Sequence, residues 1–346
     1  MTLGSLDPAI DPLWSTLVSR RQGGLFHSPL WLGAVQDAYG FPLRASVVVD
    51  ADGQPTAGIP YACLGGPPAN RLVAAPFCDA CDPLFECPEE WSQLVTALES
   101  HKLPTHLRCL DAQLPDHDRF MVTKRARWHT ISLGETTEDR WRGLDPSAQR
   151  AIRKAQREGV EIRPLAPGPD LAAFHRLHVA LRKAKYRLLA QPLAFFDAVA
   201  RRFHDAGNWH ALGAWMGHRL VAGTIYLRWG ETLYYKFNAS SLDALEARPN
   251  SLLAWEGMEL ANALGCRRLD LGPSDDDQPG LIRFKRHFGA EERELRFLRL
   301  DPPGWDDRPA LEPKRMLEQL TQLLTRPEVP DEITAVAGAQ LYRYFA

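Results

Sequence analysis

Residues 209–239 read "WHALGAWMGHRLVAGTIYLRWGETLYYKFNA" and contain three runs rich in apolar, β-branched and aromatic residues. Tight turns at Met216–His218 and at Trp229–Gly230 separate these runs, which predicts three antiparallel strands. The following segment, "NSLLAWEGMELANALG" (residues 250–265), has the apolar spacing of a helix, with Asn250 as N-cap and Gly265 just beyond the last turn. A buried strand, "RRLDLG" (267–272), and a helix, "GLIRFKRHFG" (280–289), come next. The order strand, strand, strand, helix, strand, helix predicts an α/β domain.

The N-terminal part of the chain repeats this order. A helix around "SPLWLGAVQDAYG" precedes two β-rich runs in "RASVVVDADGQPTAGIPYACL", and then come "RLVAAPF", the amphipathic segment "PEEWSQLVTALESH" and the short strand "THLRCL". Since the element order repeats while the residues do not, we interpret the halves as two copies of one α/β unit. We expect domains at 1–133 and 134–302, and a helical tail at 303–346 that packs on the body.

Three helices are expected between the two sets of strands. The first, "DPSAQRAIRKAQREG", has Asp145 as N-cap, Pro146 at the first helical position and Gly159 at its end. The segments "DLAAFHRLHVALRKAKY" and "QPLAFFDAVARRFHDAG" supply the other two.

Composition excludes several classes of protein. Hydrophobic residues make up 45% and charged residues 24% of the 346 residues, which is typical of a folded globular protein. The formal net charge of -2 argues against a protein coated in positive charge to hold nucleic acid or lipid. A secretory signal pattern and a long apolar run are both missing, so we expect a cytoplasmic protein without a membrane span.

The cysteines form one notable group. Cys78, Cys81 and Cys87 lie in "PFCDACDPLFEC", and the C-x-x-C spacing could begin a zinc site or a redox pair. Because a second pair of ligands at zinc-knuckle spacing is missing, buried small side chains are the favoured interpretation.

Four segments together resemble the Fem family of peptidyltransferases and its acetyltransferase-like bacterial relatives within the GNAT-like acyltransferase superfamily. They are, in this order and at the family's spacing, "IRKAQREGV", "YYKFNAS", "RPNSLLAWEGMELANALGCRRLDLG" and "GLIRFKRHFGA". "HSPLWLGAVQDAYG" and "RLVAAPFCDACDPL" match less closely. The resemblance implies two tandem GNAT-like domains, each a mixed twisted sheet flanked by helices. It also implies transfer of an acyl or aminoacyl group to an amine, commonly on a peptidoglycan precursor or another envelope glycan.

The resemblance also implies site residues. The family's Phe-Lys pair falls on Phe284 and Lys285. A fixed ammonium there could stabilise the oxyanion that forms when an amine attacks a carbonyl. Without the resemblance, Lys285 would be interpreted as a surface lysine on an amphipathic helix.

The segment between the third strand and the helix departs from the superfamily pattern. GNAT proteins place R-x-x-G-x-G or R-x-x-G-x-A there to hold the coenzyme A pyrophosphate on backbone N–H groups, whereas this chain has "SLDALEARPNSLL" without either glycine. The long helical arm of some aminoacyl-tRNA-dependent relatives also has no counterpart. We therefore expect no tightly bound cofactor, and we leave aminoacyl-tRNA and acyl-coenzyme A open as the donor.

Substrate-binding residues are expected in two places. Between Arg150 and Arg187 there are ten Lys or Arg residues against three acidic ones, which suits phosphates. Within this stretch Arg182, Lys183 and Arg187 precede the "QPLAFF" helix, where the family tends to place an anion-binding arginine. The other group, on the third strand and the helix after it, consists of Tyr234, Tyr235, Asn238 and Asn250.

Two further patterns are interpreted as structural. His175 and His178 have the i, i+3 spacing of metal ligands, but a third ligand is not evident. Asp275, Asp276 and Asp277 could supply a general base, although such a run is more typical of a solvated loop.

These observations predict a Fem-like N-acyltransferase that acts on an amine of a cell-envelope precursor, with an anionic precursor or a nucleotide-sugar as acceptor. Two alternatives stay open. One is an acyl-coenzyme A N-acyltransferase acting on a small metabolite or sugar amine. The other is a catalytically inactive tandem fold that binds a glycan or a partner protein.

Overall fold

The structure, a computed structural model, describes residues 2–110 and 120–346, which divide into two compact units. Unit 1 consists of the described residues of Met1–Ala126, Glu294–Leu320 and Arg343–Ala346. Unit 2 consists of Arg127–Arg293 and Thr321–Tyr342.

Unit 1 begins with five strands and three helices. They are β1 (Thr2–Leu6), α1 (Pro12–Arg20), α2 (Pro29–Tyr39), β2 (Leu43–Val49), β3 (Pro55–Leu64), β4 (Arg71–Ala74), α3 (Pro88–Ser100) and β5 (Thr105–Cys109). Strand β6 (Phe120–Ser132) then continues from unit 1 into unit 2.

Unit 2 contains the next eleven elements. They are α4 (Thr137–Arg142), α5 (Pro146–Arg157), β7 (Val160–Pro164), α6 (Pro169–Leu181), α7 (Leu193–Asp205), β8 (Trp209–Met216), β9 (Arg219–Trp229), β10 (Thr232–Ser240), α8 (Pro249–Ala263), β11 (Arg268–Ser274) and α9 (Pro279–His287). Strand β12 (Glu291–Leu300) returns to unit 1, and helices α10 (Arg308–Leu324) and α11 (Asp331–Leu341) follow.

Five strands of each unit, β1 to β5 and β7 to β11, follow one another in the same order along the sheet. In unit 1 the order is β1-β2-β3-β4-β5-β12, and only β4 and β5 are parallel neighbours. In unit 2 the order is β6-β11-β10-β9-β8-β7, and only β10 and β11 are parallel neighbours. Each parallel pair is joined through a helix, α3 or α8, because parallel neighbours need a crossover connection. The prediction of two tandem α/β units with mixed sheets is confirmed.

The units are discontinuous in sequence. Residues 294–302, which the sequence assigned to the second domain, belong to unit 1 because Arg296–Leu300 pair antiparallel with Thr105–Cys109 of β5. The tail at 303–346 is likewise divided, with its first part in unit 1 and residues 321–342 in unit 2.

One hydrophobic core of unit 1 lies between α3 and the sheet. Trp91, Leu94 and Leu98 of α3 pack against Ile59 of β3 and Leu107 of β5, and all five side chains are buried. The core of unit 2 is built in the same way from α5, α8 and strands β9 to β11.

A close contact fixes α8 on the sheet. The Tyr226 hydroxyl on β9 donates to the carbonyl of Leu253 at 2.7 Å, and a Cβ at Gly257 would collide with the Tyr226 ring. Glycine at this position therefore allows α8 to approach β9, and the contact sets where the first turn of α8 lies.

Most of the local predictions hold. Asp145 accepts from Ser147 N and Pro146 is the first residue of α5, as predicted. Helix α8 begins two residues earlier than expected, at Pro249, so Asn250 lies in its first turn instead of capping it, and Arg248 precedes the helix. No described helix has the length and apolarity needed to cross a lipid bilayer.

Candidate functional site

The parallel strands of unit 2 separate soon after they meet. Thr232–Tyr234 of β10 pair with Arg268–Asp270 of β11, and no further pairs form between them within the described residues. The register of β10 shifts between Tyr235 and Phe237 relative to β9. Bulges of this kind bend a strand, so the backbones part and open a cleft below the N-terminus of α8.

The first turn of α8 is open to an anion. Arg248 directly before it has a left-handed backbone (φ 59°, ψ 35°), and no side chain caps the helix. The dipole of a 15-residue helix favours negative charge at this end.

A pocket of about 520 Å³ adjoins this helix end. Arg150 and Lys154 of α5, Arg248, and Arg283 of α9 line it, and none of its described lining residues is acidic. The remaining walls are Ser147, Ala148, Ala151, Ser251, Gly280, Phe284, His287 and Phe288. Four cations around one uncapped helix N-terminus form a phosphate-binding geometry.

Two predicted asparagines connect β10 to α8. The Asn238 amide donates to Asn250 Oδ1 at 3.2 Å and to Gly223 O at 3.1 Å, while Asn250 donates to Ser240 Oγ at 3.2 Å. Asn238 and Asn250 thus hold the cleft wall and the first turn of α8 together.

The two predicted tyrosines occupy neighbouring positions on β10. Burial raises the pKa of Tyr235 to about 12, and its ring meets that of Tyr226 edge-on at 5.4 Å. Tyr234 is half-buried and lies opposite Asp270 in the register of β11. The Tyr235 phenol is therefore a hydrogen-bonding group at neutral pH.

The Phe-Lys pair divides between the pocket and the sheet. Phe284 lines the pocket and its ring lies 5.0 Å from that of Phe288. Lys285 is only 5% exposed, and its Nζ donates to Gly272 O at 2.9 Å and to Pro273 O at 2.7 Å. The surface-lysine alternative is therefore wrong, because the ammonium is buried against the end of β11.

Two further polar residues, His129 and Asp270, are buried near this strand end. His129 of β6 is fully buried, and neither ring nitrogen has a hydrogen-bond partner among residues 2–110 and 120–346. Burial, together with the charge of Lys285, lowers the pKa of His129 to about 4. Asp270, also buried, accepts from Trp128 Nε1 at 2.9 Å and from Gly272 N at 2.7 Å.

The predicted basic group Arg182, Lys183 and Arg187 contacts the C-terminal tail. The Arg182 Nε donates to Leu189 O at 2.7 Å, and its guanidinium lies over the Tyr342 ring. Lys183 is buried and donates to Val329 O and, at 2.8 Å, to Asp331.

Arg187, the third member, donates to Thr325 O at 2.8 Å. The role of Arg182, Lys183 and Arg187 in acceptor binding stays a prediction. For a substrate anion to replace these partners, the side chains would have to release the tail.

The residues interpreted as structural have ordinary surroundings. His175 donates from Nε2 to Gln191 O and His178 donates from Nε2 to Gln191 Oε1, and burial lowers the pKa of His178 to about 3. Asp276 pairs with Arg127 at 2.8 Å on the surface. Cys78 and Cys81 are buried, and the described residues contain no cluster of three or more potential metal ligands.

Sequence reasoning did not predict that four cations from different elements would meet at this pocket. Arg150 and Lys154 belonged to the basic stretch, but Arg248 and Arg283 come from other elements and carry no shared motif. The available signal was positional, because Arg248 stands immediately before the helix whose N-terminus faces the donor in the superfamily. His129 had no signal, since it lies on a strand that the sequence did not predict.

Comparisons with known proteins agree with this geometry. A family model described as "Acetyltransferase (GNAT) domain" matches residues 147–286, a range that runs from α5 to α9 and includes the whole pocket except His287 and Phe288. No curated protein matches the chain in sequence.

Several solved structures have a similar fold. That of FemX superposes with a TM-score of 0.67, 13% identity and coverage of 86% of this chain and 97% of FemX. For the C-terminal domain of a putative lysylphosphatidylglycerol synthetase from Agrobacterium fabrum, the TM-score is 0.55, with 14% identity and coverage of 86% and 93%. For a tandem GNAT protein from the clavulanic acid biosynthesis pathway, the TM-score is 0.54, with 12% identity and coverage of 88% of this chain and 100% of that protein. This chain thus has a Fem-like, tandem GNAT fold, as the sequence resemblance predicted.

Proposed function

We propose that the chain is an N-acyltransferase that moves an aminoacyl or acyl group from a phosphate-bearing donor to an amine of a peptidoglycan or polysaccharide precursor. The observation that carries this proposal is the basic pocket at the N-terminus of α8, beside the strands that part. The similarity of the fold to FemX supports the choice of an envelope acceptor.

In this reaction, the acceptor amine forms a bond to the donor's carbonyl carbon. The carbonyl oxygen becomes an oxyanion, and the bond to the leaving oxygen or sulfur then breaks while the amine loses a proton. Lys285 is the proposed catalytic cation, because its buried ammonium is held beside the cleft end of β11. Phe284 packs between the pocket and the core and keeps that part of α9 in place.

The donor is an aminoacyl-tRNA or an acyl-coenzyme A, both of which carry phosphates and are made in the cytoplasm. Arg248 stands where the superfamily has a glycine-rich turn, so guanidinium groups replace backbone N–H groups as phosphate donors. We therefore expect acetyl-coenzyme A to bind weakly and aminoacyl-tRNA, which carries many more phosphates, to bind more tightly.

The acceptor is an anionic envelope precursor or a nucleotide-sugar. Tyr234, Tyr235, Asn238 and Asn250 line or support the cleft between β10 and β11 at the N-terminus of α8, where polar groups could position the amine. Arg182, Lys183 and Arg187 stay the proposed contacts for the acceptor's phosphates.

The donor site can be tested with a matched pair of charge reversals. Arg248→Glu removes a pocket cation, whereas Arg157→Glu makes the same change at an exposed position of α5 outside the pocket. Titration with uncharged-tRNA and coenzyme A should show roughly tenfold or greater loss of affinity for Arg248→Glu alone, as expected for one charge-assisted contact. Equal effects of the two variants would refute the phosphate site.

The product can be identified by mass spectrometry of muropeptides and envelope glycans from a deletion strain. A missing aminoacyl or acyl mass would name the transferred group and the acceptor. Unchanged glycans with tight coenzyme A binding would favour an N-acyltransferase acting on a small metabolite, which the match to an acetyltransferase domain also supports. Unchanged glycans without donor binding would favour an inactive glycan- or protein-binding fold.

A further inference from the structure

A second cavity, of about 420 Å³, is lined only by residues of unit 1. It lies where β4 and β5 part, because Leu72 and Val73 pair with Thr105 and His106 and no further pairs are made among the described residues.

The cavity is on the face of the sheet that α3 leaves uncovered. Leu72 and Leu107 pack in the core beneath α3, so the alternate residues Val73, His106 and Arg108 point to the other face. The start of α10 closes that face with Leu317, which is buried.

The wall of the cavity has an unusual backbone. Ala75 (φ 41°) and Phe77 (φ 61°) both have left-handed conformations directly after β4. Such conformations are uncommon for residues other than glycine, and they cluster at binding sites where the surroundings enforce them. Phe77, Phe297 and Trp305 make much of the lining apolar.

Two of the cations in the cavity already have partners, because the donors of Arg71 are used on backbone oxygens and the charge of Arg299 is neutralised by carboxylates. Arg71 donates to the backbone oxygens of Pro67, Ala69, Tyr344 and Ala346. Arg299 pairs with Asp301 and Asp307 at 2.7 Å and 2.6 Å.

The side chains of Lys314, His106 and Arg108 retain free donors. Lys314 forms no ion pair or hydrogen bond within residues 2–110 and 120–346, and neither does the ring of His106. Arg108 uses one nitrogen on Cys78 O at 2.6 Å, and its guanidinium lies over the Phe297 ring. Burial and the nearby charges of Arg299 and Arg71 lower the pKa of His106 to about 4, so its ring offers a neutral N–H.

We propose that this cavity binds a small amphiphilic anion, with its carboxylate or phosphate at Lys314, His106 and Arg108 and its apolar part between Phe77, Phe297 and Leu317. Its volume is within the range of small-molecule sites, and the combination of apolar walls with a few convergent polar groups is typical of them. The proposal concerns binding alone and does not depend on the function assigned to unit 2.

Calorimetry of the full chain with decanoate, decyl phosphate and decanol, each below its aggregation limit, tests the proposal. One or both anions should bind about tenfold or more tightly than decanol, as expected when a charge-assisted contact is added. The tighter anion identifies carboxylate or phosphate as the preferred group. If neither anion binds, or if decanol binds equally well, the site as proposed does not exist.

Two variants locate the binding site. Lys314→Glu should weaken anion binding by roughly tenfold or more, whereas Arg315→Glu, an equally exposed change on the same helix outside the cavity, should not. Ala310→Trp should fill the cavity and abolish binding, with an unchanged unfolding temperature as evidence of folding. Equal affinities for Lys314→Glu and Arg315→Glu, or full binding by a folded Ala310→Trp protein, would overturn the proposal.

Discussion

Lys285 shows how much of a residue's role depends on contacts that sequence does not display. Its neighbours Arg283, Arg286 and His287 give the segment the charge pattern of a solvated helix, and only the family resemblance singled out this lysine. The structure buries its ammonium against two carbonyls of β11, beside a bulge at Gly272. A bulge is a tertiary feature of strand pairing, so local sequence could not predict this contact.

Replacing Lys285 with Met removes the charge and keeps the stem. We expect kcat to fall on the order of 10² to 10³, the usual loss for one oxyanion donor. Because Gly272 O and Pro273 O would each lose a donor, the free energy of unfolding should also fall by about 1–3 kcal/mol. Single-turnover kinetics and urea unfolding, measured on the same preparation, separate the two effects.

Lys285→Arg is the control, since it keeps a charge and hydrogen-bond donors at this position. It should retain more stability than Lys285→Met, while a planar fork in place of an ammonium should still reduce turnover. Near-normal turnover of a folded Lys285→Met enzyme on its own substrates would show that the ammonium is structural only.

At the level of elements, sequence predicted the segments that carry their own signals. Helix α5 has Asp145 and Pro146 at its start, and β8 to β10 are apolar runs between tight turns. Strands β6 and β12 were missed because "FMVTKRARWHTIS" and "EERELRFLRL" are rich in charge. Their strand conformation comes from pairing with distant partners, β11 and β5.

Dependence on distant partners also explains why the basic pocket at the N-terminus of α8 was not predicted. Its cations come from α5, from the residue before α8, and from α9, which lie far apart in sequence. Asn238 and Asn250 were predicted individually, but the amide contact that joins β10 to α8 required the folded arrangement. Sequence therefore predicted the order of the elements and part of the site, whereas the grouping of charges depends on packing.

The π-helical turn Arg182–Tyr186 links α6 to the tail, and Lys183 makes the central contact. Lys183→Met should lower the free energy of unfolding by about 1–3 kcal/mol, because Val329 O and Asp331 lose their buried donor. Amide hydrogen exchange should increase around residues 325–334. Lys185→Met, on the same turn but exposed, should leave both quantities unchanged.

If the Lys183→Met protein showed wild-type amide hydrogen exchange in the tail, Lys183 would not hold the tail in place. That result would also strengthen the case that Lys183 is available to an acceptor anion. The comparison thus bears on the predicted acceptor contacts before any substrate is known.

At the level of the whole molecule, buried histidines should make folding sensitive to mild acid. The pKa of His106 in unit 1 and of His129 in unit 2 is lowered to about 4, and that of His178 to about 3, in each case mainly through burial. The neutral ring is thus favoured in the folded state. The unfolded chain, with ordinary histidine pKa values near 6.5, binds protons first as the pH falls.

The stability that these histidines contribute is therefore complete above pH 6.5 and decreases as the pH falls towards 4. For His129 the lowered pKa corresponds to at most about 3 kcal/mol. The charges around this ring are Lys285 and Arg286 on α9, Arg127 on β6 and Glu292 on β12. A bond from Arg286 lowers the pKa of Glu292 to about 2, so this carboxylate stays ionised throughout that range.

Urea unfolding at several pH values between 6.5 and 5 isolates the histidine contribution, because most carboxylates are ionised in both folded and unfolded chains over that interval. The wild-type free energy of unfolding should decrease with falling pH, and His129→Gln should show a shallower decrease because it removes one titrating group. His218→Gln changes an exposed histidine in the turn between β8 and β9 and should follow the wild-type slope. Equal slopes for His129→Gln and wild type would mean that the His129 ring takes up its proton as easily in the folded protein as in the unfolded chain, despite its burial beside Lys285.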